Sequence, residues 1–114
     1  MSDWKTPLRL VEQLDKKGNI HEKGVKKLVS AVAEASELGD KLGCAEFIAF
    51  ATSAVRSAPN SEAVLDEVEK QTGVRLQILS GVEEAQLTFL AARRWYGWSA
   101  GRITNLDIGG GSLE

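Results

Sequence analysis

Apolar positions along this 114-residue chain change spacing several times, and each change marks an element. Over residues 21–42 they recur at steps of three and four: Val25, Leu28, Val29, Val32, Ala35, Gly39 and Leu42. That spacing puts one apolar stripe on a helix. Gly43 stands where a left-handed C-terminal cap is wanted. Gly24 and Gly39 are each expected to weaken the helix, by about 1 kcal/mol relative to alanine. Residues 46–51 (EFIAFA) form a short apolar run of buried-strand type, and residues 52–56 read as the loop after it. Pro59-Asn60-Ser61 opens a second helix, with Asn60 as its cap, Val64, Leu65 and Val68 facing inward and Gly73 closing it. Residues 74–79 are a second strand. Ser80-Gly81-Val82-Glu83 is a capping box, opening a helix that runs to about Tyr96 with Val82, Ala85, Phe89, Ala92 and Tyr96 on its inner face. Arg93 and Arg94 suit the negative end of its dipole. Residues 97–101 break the chain, and residues 103–108 are a last strand. Upstream, residues 8–14 read as a strand and residues 15–19 as a turn.

Short apolar strands alternating with helices predict an α/β fold, ordered helix-strand-helix-strand-helix-strand around a parallel or mixed sheet. The chain is one domain long and buries a modest core, too small for two lobes and a cleft. A net charge of -2 supplies no field for nucleic acid or an anionic membrane. No apolar run has the length of a signal peptide or a membrane span, so the expected compartment is cytoplasmic. Cys44 is alone and excludes an intrachain disulfide. Between a helix end and an apolar run, it is expected to be a buried structural thiol. The sole histidine, His21, excludes a His-rich metal site and is expected to be exposed at a helix start. The aromatic group Trp95-Tyr96-x-Trp98 beside two arginines reads as helix-end packing rather than a base-stacking platform, because no basic stripe accompanies it.

In open α/β sheets, ligands sit beyond the C-terminal ends of the strands. Three polar clusters fall at such ends: Thr52, Ser53 and Arg56; Ser80 with Glu83 and Glu84; and Asp107-Ile108-Gly109-Gly110-Gly111-Ser112-Leu113-Glu114. Parallel neighbouring strands would bring all three to one edge. Arginine clamps phosphate oxygens in bidentate fashion, although Arg56 also has Glu62 and Asp66 within reach as ion-pair partners. Glu83 is the capping-box acid. Glu84 has no capping role; it is either a surface acid favoured by a helix N-terminus or a carboxylate that orients an attacking water. In the last cluster an acid precedes three glycines, and a hydroxyl and a second acid follow them. Glycine lets the backbone turn its N–H groups toward an anion. Asp107 and Glu114 are carboxylates of the kind that hold a hard divalent cation, and Ser112 is a donor to phosphate oxygen. This is the chemistry of a phosphate escorted by a metal.

Phe50-Ala51-Thr52-Ser53-Ala54-Val55-Arg56-Ser57-Ala58, then Ser80-Gly81-Val82-Glu83-Glu84-Ala85, then the terminal octapeptide, in this order and spacing, resemble the exopolyphosphatase / guanosine pentaphosphate phosphatase (Ppx/GppA) family. Leu8-Arg9-Leu10 and Leu14-Asp15-x-x-Gly18 resemble the segment before the family's first long helix. The resemblance covers nearly the whole chain. It implies a partial actin-like fold, with residues 1–101 from the first lobe and residues 102–114 opening the second. It implies hydrolysis of the terminal phosphoanhydride of polyphosphate or guanosine pentaphosphate with Mg²⁺ or another divalent cation. Glu84 then resembles the glutamate that activates the water, and Arg56 the phosphate-binding arginine. Gly109, Gly110, Gly111 and Ser112 resemble the second phosphate loop; Asp107 and Glu114 resemble acids tied to the metal and to catalysis. Leu113 stands where threonine is common. The family's opening Asp-x-Gly-Ser-Asn loop has no counterpart here, and the chain stops where the second lobe should begin. A truncated piece, inactive alone and with an open sheet edge, is therefore expected. The rival expectations are a non-catalytic module that binds polyphosphate or forms a homodimer, and an actin-like kinase or ATPase.

Overall fold

The computed structural model describes residues 3–109 and 112–113. In chain order they form a 3₁₀ turn Leu10–Gln13, helix α1 (Glu22–Lys41), strand β1 (Phe50–Ala51), a single helical turn α2 (Ser53–Arg56), helix α3 (Ser61–Thr72), strand β2 (Gln77–Ile78), helix α4 (Gly81–Tyr96) and a second 3₁₀ turn Trp98–Ala100.

The apolar stripes of α1 and α3 meet and make the core. Leu28, Ala31 and Val32 of α1 are buried, as are Val64, Leu65 and Val68 of α3. Ile20, Ala51, Val55, Ala58 and Leu76 complete the cluster from the surrounding segments. Val68 has no exposed surface at all. Gly43 and Gly73 both adopt left-handed φ angles, 68° and 72°, and end their helices as the pattern predicts. Gly24 has a packing reason: a Cβ there would meet Gln13 Cβ at 2.8 Å and Ile20 Cγ2 at 2.9 Å. The absent side chain lets the 3₁₀ turn and Ile20 press onto α1.

Strands β1 and β2 pair in parallel, Phe50 opposite Gln77 and Ala51 opposite Ile78. The Gln77 N–H donates to Ala49 O (2.9 Å) and the Leu79 N–H to Ala51 O (3.1 Å). The strands are shorter than the sequence predicts: residues 46–48 and 74–76 lie outside the ladder, and Ala49 joins it only through its carbonyl. Cys44, expected buried, is exposed, because residues 41–48 run across the surface.

Other expectations give way to local chemistry. Residues 8–14 are not a strand. They hold the 3₁₀ turn, and Leu14 then bridges Ile20 antiparallel across residues 15–19. Asp15 organises that turn: its Oδ1 accepts from Lys17 N–H (2.7 Å) and Asn19 N–H (3.0 Å), and its Oδ2 from the Asn19 amide (3.1 Å). These bonds, the Asn19 side chain first, hold the Asp15 carboxyl below its ordinary range. Residues 52–56 are a helical turn rather than a loop, because Thr52 O takes the Val55 and Arg56 N–H groups while Val55 is buried. Residues 103–108 form no strand ladder among the described residues; Ile108 makes one isolated antiparallel bridge to Leu113. The inner face predicted for α4 is open instead: Val82, Phe89 and Tyr96 are 68%, 40% and 68% exposed, and no α4 residue is buried.

Asn60 occupies the N-cap position of α3 without making the expected cap bond. Its amide turns to the buried Ile20. Oδ1 accepts from the Ile20 N–H (3.0 Å), and Nδ2 donates to the Ile20 carbonyl (2.9 Å). The side chain thus mimics a strand neighbour and ties the 15–20 turn to α3. Asn60→Ala leaves both backbone groups without that partner and should destabilise the fold by about 2 kcal/mol in urea unfolding. Asn60→Asp keeps the acceptor, loses the donor and should show a smaller loss.

Candidate active site

The parallel register sends the C-terminal ends of β1 and β2 to one edge of the sheet. Arg56 ends α2, five residues beyond Ala51, and Glu84 lies in the first turn of α4, five residues beyond Leu79. Both positions lie just past the shared edge, and the two side chains meet. Arg56 Nη1 lies 2.9 Å from Glu84 Oε2 and also donates to the Leu79 carbonyl at 2.6 Å. The pair is mostly shielded from water, with 24% and 15% of the Arg56 and Glu84 side chains exposed. The Leu79 contact had no sequence signal, since a carbonyl acceptor is independent of residue type. Glu62 and Asp66, weighed as partners of Arg56, belong instead to Arg75, which also contacts Glu69.

The start of α4 is built as the sequence predicts. Ser80 Oγ accepts from the Glu83 N–H (3.2 Å), and Glu83 Oε2 accepts from the Ser80 N–H (2.8 Å) and hydroxyl (2.8 Å). Glu83 is thereby committed to the cap, and Glu84 faces Arg56.

The final cluster returns to this same end of α4. The Arg93 guanidinium donates to the Gly101 carbonyl (2.6 Å) and lies 5.1 Å from the ring centre of Trp98. Trp95, Tyr96 and Trp98 do not form the expected packed cluster; they are 85%, 68% and 77% exposed. Further along, the Asn105 amide reaches Thr88 Oγ1 (3.5 Å). Leu113 then lines a groove of about 580 Å³ with Ser80, Gly81, Val82, Ala85, Gln86 and Phe89. Gly101, Asn105 and Leu113 thus lie successively along α4, with Leu113 beside its N-terminus. In the 108–113 turn the Gly109 N–H donates to Ser112 O (3.0 Å), so this N–H closes the turn. Asp107 is half-buried and makes no hydrogen bond or ion pair with the described residues. Gly110, Gly111 and Glu114 lie outside the described residues. Thr52 and Ser53 hydroxyls make no hydrogen bond among them. His21 is exposed at the N-cap of α1, as expected.

Parallel strands that each hand the chain to a helix bearing the polar residue define a partial actin-like α/β domain. The Ppx/GppA phosphatase family pattern matches residues 1–114, and the chain belongs to that family. It is 60% identical over 114 residues to exopolyphosphatase 1 of Mycobacterium leprae (strain TN), covering all of this chain and 34% of that protein. The identity to exopolyphosphatase 1 of Mycobacterium tuberculosis (strain ATCC 25618 / H37Rv) is also 60%, over all of this chain and 33% of that one. Among solved structures, an exopolyphosphatase from Cytophaga hutchinsonii ATCC 33406 is similar at a TM-score of 0.84 and 25% identity, over 99% of this chain and 36% of that chain. The Aquifex aeolicus Ppx/GppA family member is similar at a TM-score of 0.77 and 25% identity, over 93% and 34%. The chain spans about a third of the length of these curated relatives.

Hydrogen bonds from Ser80, its backbone N–H first, hold the Glu83 carboxyl below its ordinary value of 4.5. A depressed carboxyl contributes stability that is present above the ordinary value and lost as pH falls through the lower folded one. Ser80→Ala should cost about 1 kcal/mol of local helix stability at neutral pH. Amide exchange at Glu83 and Glu84 should then be about fivefold faster than in the parent. That difference should narrow as acid protonates Glu83.

Proposed function

We propose that this chain supplies the water-orienting and phosphate-binding half of a phosphoanhydride hydrolase site, acting on the terminal phosphate of inorganic polyphosphate or guanosine pentaphosphate. The observation that carries the reading is the shielded Arg56–Glu84 pair at the shared edge of two parallel strands. Family membership and 60% identity to proteins named exopolyphosphatase 1 support it. Arg56 binds the terminal phosphoryl oxygens, for which its planar fork is suited. Glu84 accepts a hydrogen bond from a water and aligns it for in-line attack on phosphorus. The glycine loop would serve the phosphate through backbone N–H groups other than that of Gly109, which closes its turn. Residues 102–114 belong with the second lobe in this reading, which makes Arg56 and Glu84 one wall of the cleft and the glycine turn the other.

A divalent cation such as Mg²⁺ fits the donors in one way. Among the described residues no three His, Cys, Asp or Glu side chains gather, so they form no all-protein cage. Mg²⁺ is ordinarily held by one or two carboxylates, with water and substrate phosphates completing its shell. Asp107, half-buried and without a hydrogen bond to the described residues, suits that role, with Glu114 as the second acid. When bound, the cation would neutralise charge on the phosphate oxygens.

A second reading has one observation in its favour. The apolar surface of α4 is uncovered, which suits a non-catalytic module that associates with another copy or a partner. No described helix is long and apolar enough to cross a membrane.

The direct test grafts this chain into the matching third of the Mycobacterium leprae exopolyphosphatase 1 and follows phosphate release from polyphosphate with Mg²⁺. In that chimera Glu84→Gln should lower kcat by about 100-fold or more. Arg56→Ala should lower kcat/KM by about 100-fold. A chimera equally active with both substitutions would sink the reading. Because the relatives carry about three times this length, the 114-residue chain alone is expected to release phosphate slowly. Robust Glu84-dependent release by the isolated chain would overturn that expectation.

A further inference from the structure

The net charge of -2 hides an asymmetry. Residues 1–27 hold seven of the fourteen Lys and Arg residues against four acids, a local balance of +3; the remainder carries -5. The excess reaches the first two turns of α1, where Lys23, Lys26 and Lys27 line a groove of about 390 Å³ between that helix and residues 6–8. Thr6 and Ser30 add hydroxyl donors, and Glu34 lies at the groove as its one acid. Lys26 is held by Glu22 at 2.7 Å. Lys23 and Lys27 make no ion pair among the described residues.

This arrangement is locally unfavourable. Lysines four positions apart on a helix repel one another, and cations in the first turns also oppose the positive end of the helix dipole. The two uncompensated ammonium groups project from positions about 6 Å apart along the axis. A single small anion would engage one of them; an anion with closely repeated charges would engage both and relieve both unfavourable terms. Three ammonium and two hydroxyl groups outnumber the single Glu34 carboxylate on the polar wall, which suits phosphate oxygens repeated along a chain.

We infer that this groove is a second anion site, separate from Arg56, that holds an extended stretch of polyphosphate chain through Lys23 and Lys27. The inference rests on polyphosphate being the substrate class proposed above. It gives the chain a way to favour long polymers without altering the reacting end.

Titration calorimetry of the 114-residue chain with medium-chain inorganic polyphosphate and, separately, with orthophosphate tests it. The double variant Lys23→Gln/Lys27→Gln keeps good helix formers at exposed positions, so its circular dichroism should match the parent. Its affinity for polyphosphate should fall about tenfold, with a shallower dependence on salt and orthophosphate binding unchanged. Parent-like polyphosphate binding by the double variant overturns the inference. So does polyglutamate binding as tightly as polyphosphate with the same loss, because the groove would then be reading acidic peptide. Arg56→Ala should leave the lysine-dependent part of polyphosphate binding in place. The chimera's response to Glu84→Gln reports on the hydrolase reading independently, so either proposal can fail alone.

Discussion

Two rungs of parallel pairing govern everything at the site. Parallel strands leave a sheet in the same direction, so the segments after β1 and β2 begin side by side. A slip of one residue would send alternate side chains to the opposite face, turning buried Ala51 outward and exposed Phe50 inward. A two-residue ladder is too short to enforce its own register. Packing beneath it does so: Ala51, Val55 and Leu76 are buried in the cluster formed by α1 and α3. The geometry of Arg56 and Glu84 is thus inherited from a hydrophobic core that contains neither residue.

Charge is distributed to match. Arg75 takes three acids from α3, Glu62, Asp66 and Glu69, and lies in solvent where such contacts contribute little. The Arg56–Glu84 contact differs in kind, because both side chains are mostly shielded and one arginine nitrogen also meets the Leu79 carbonyl. A shielded pair costs desolvation that its attraction only partly repays. Its presence at a strand-end edge is therefore weak evidence for a stabilising role and stronger evidence for a functional one.

The helices were legible because periodic burial is a local property. Val25 to Val32 and Val64 to Val68 announce their stripes, and Gly43, Gly73 and the Ser80–Glu83 box announce the ends. Strand ladders depend on a neighbour, and sequence cannot show where the neighbour is missing. Residues 46–48 and 103–107 have the composition of strands but pair with no strand among the described residues. The same limit explains α4, whose apolar positions read as an inner face yet meet no covering surface. At the site, the convergence of Arg56 and Glu84 followed from strand order, whereas separating Glu84 from an ordinary surface acid needed the family resemblance. Asn60 was legible as a helix start and illegible as a clamp on Ile20, because that contact spans forty residues.

Glu84, proposed to orient the water, stands on a helix with little packing. Helix α4 buries no residue, and a sixteen-residue helix without tertiary support is marginal in water. Three local devices compensate. The capping box fixes the first turn, the Arg56 contact ties Glu84 to the β1 side, and Gly101 and Asn105 contact the helix through Arg93 and Thr88. These contacts are polar apart from Leu113, which lines the groove beside Val82, Ala85 and Phe89, and they leave most of the apolar face open. Covering it would add the burial that α4 lacks and would narrow the range of Glu84 positions. The precision of the site is then set by what packs on the far side of α4, a property that neither Arg56 nor Glu84 controls.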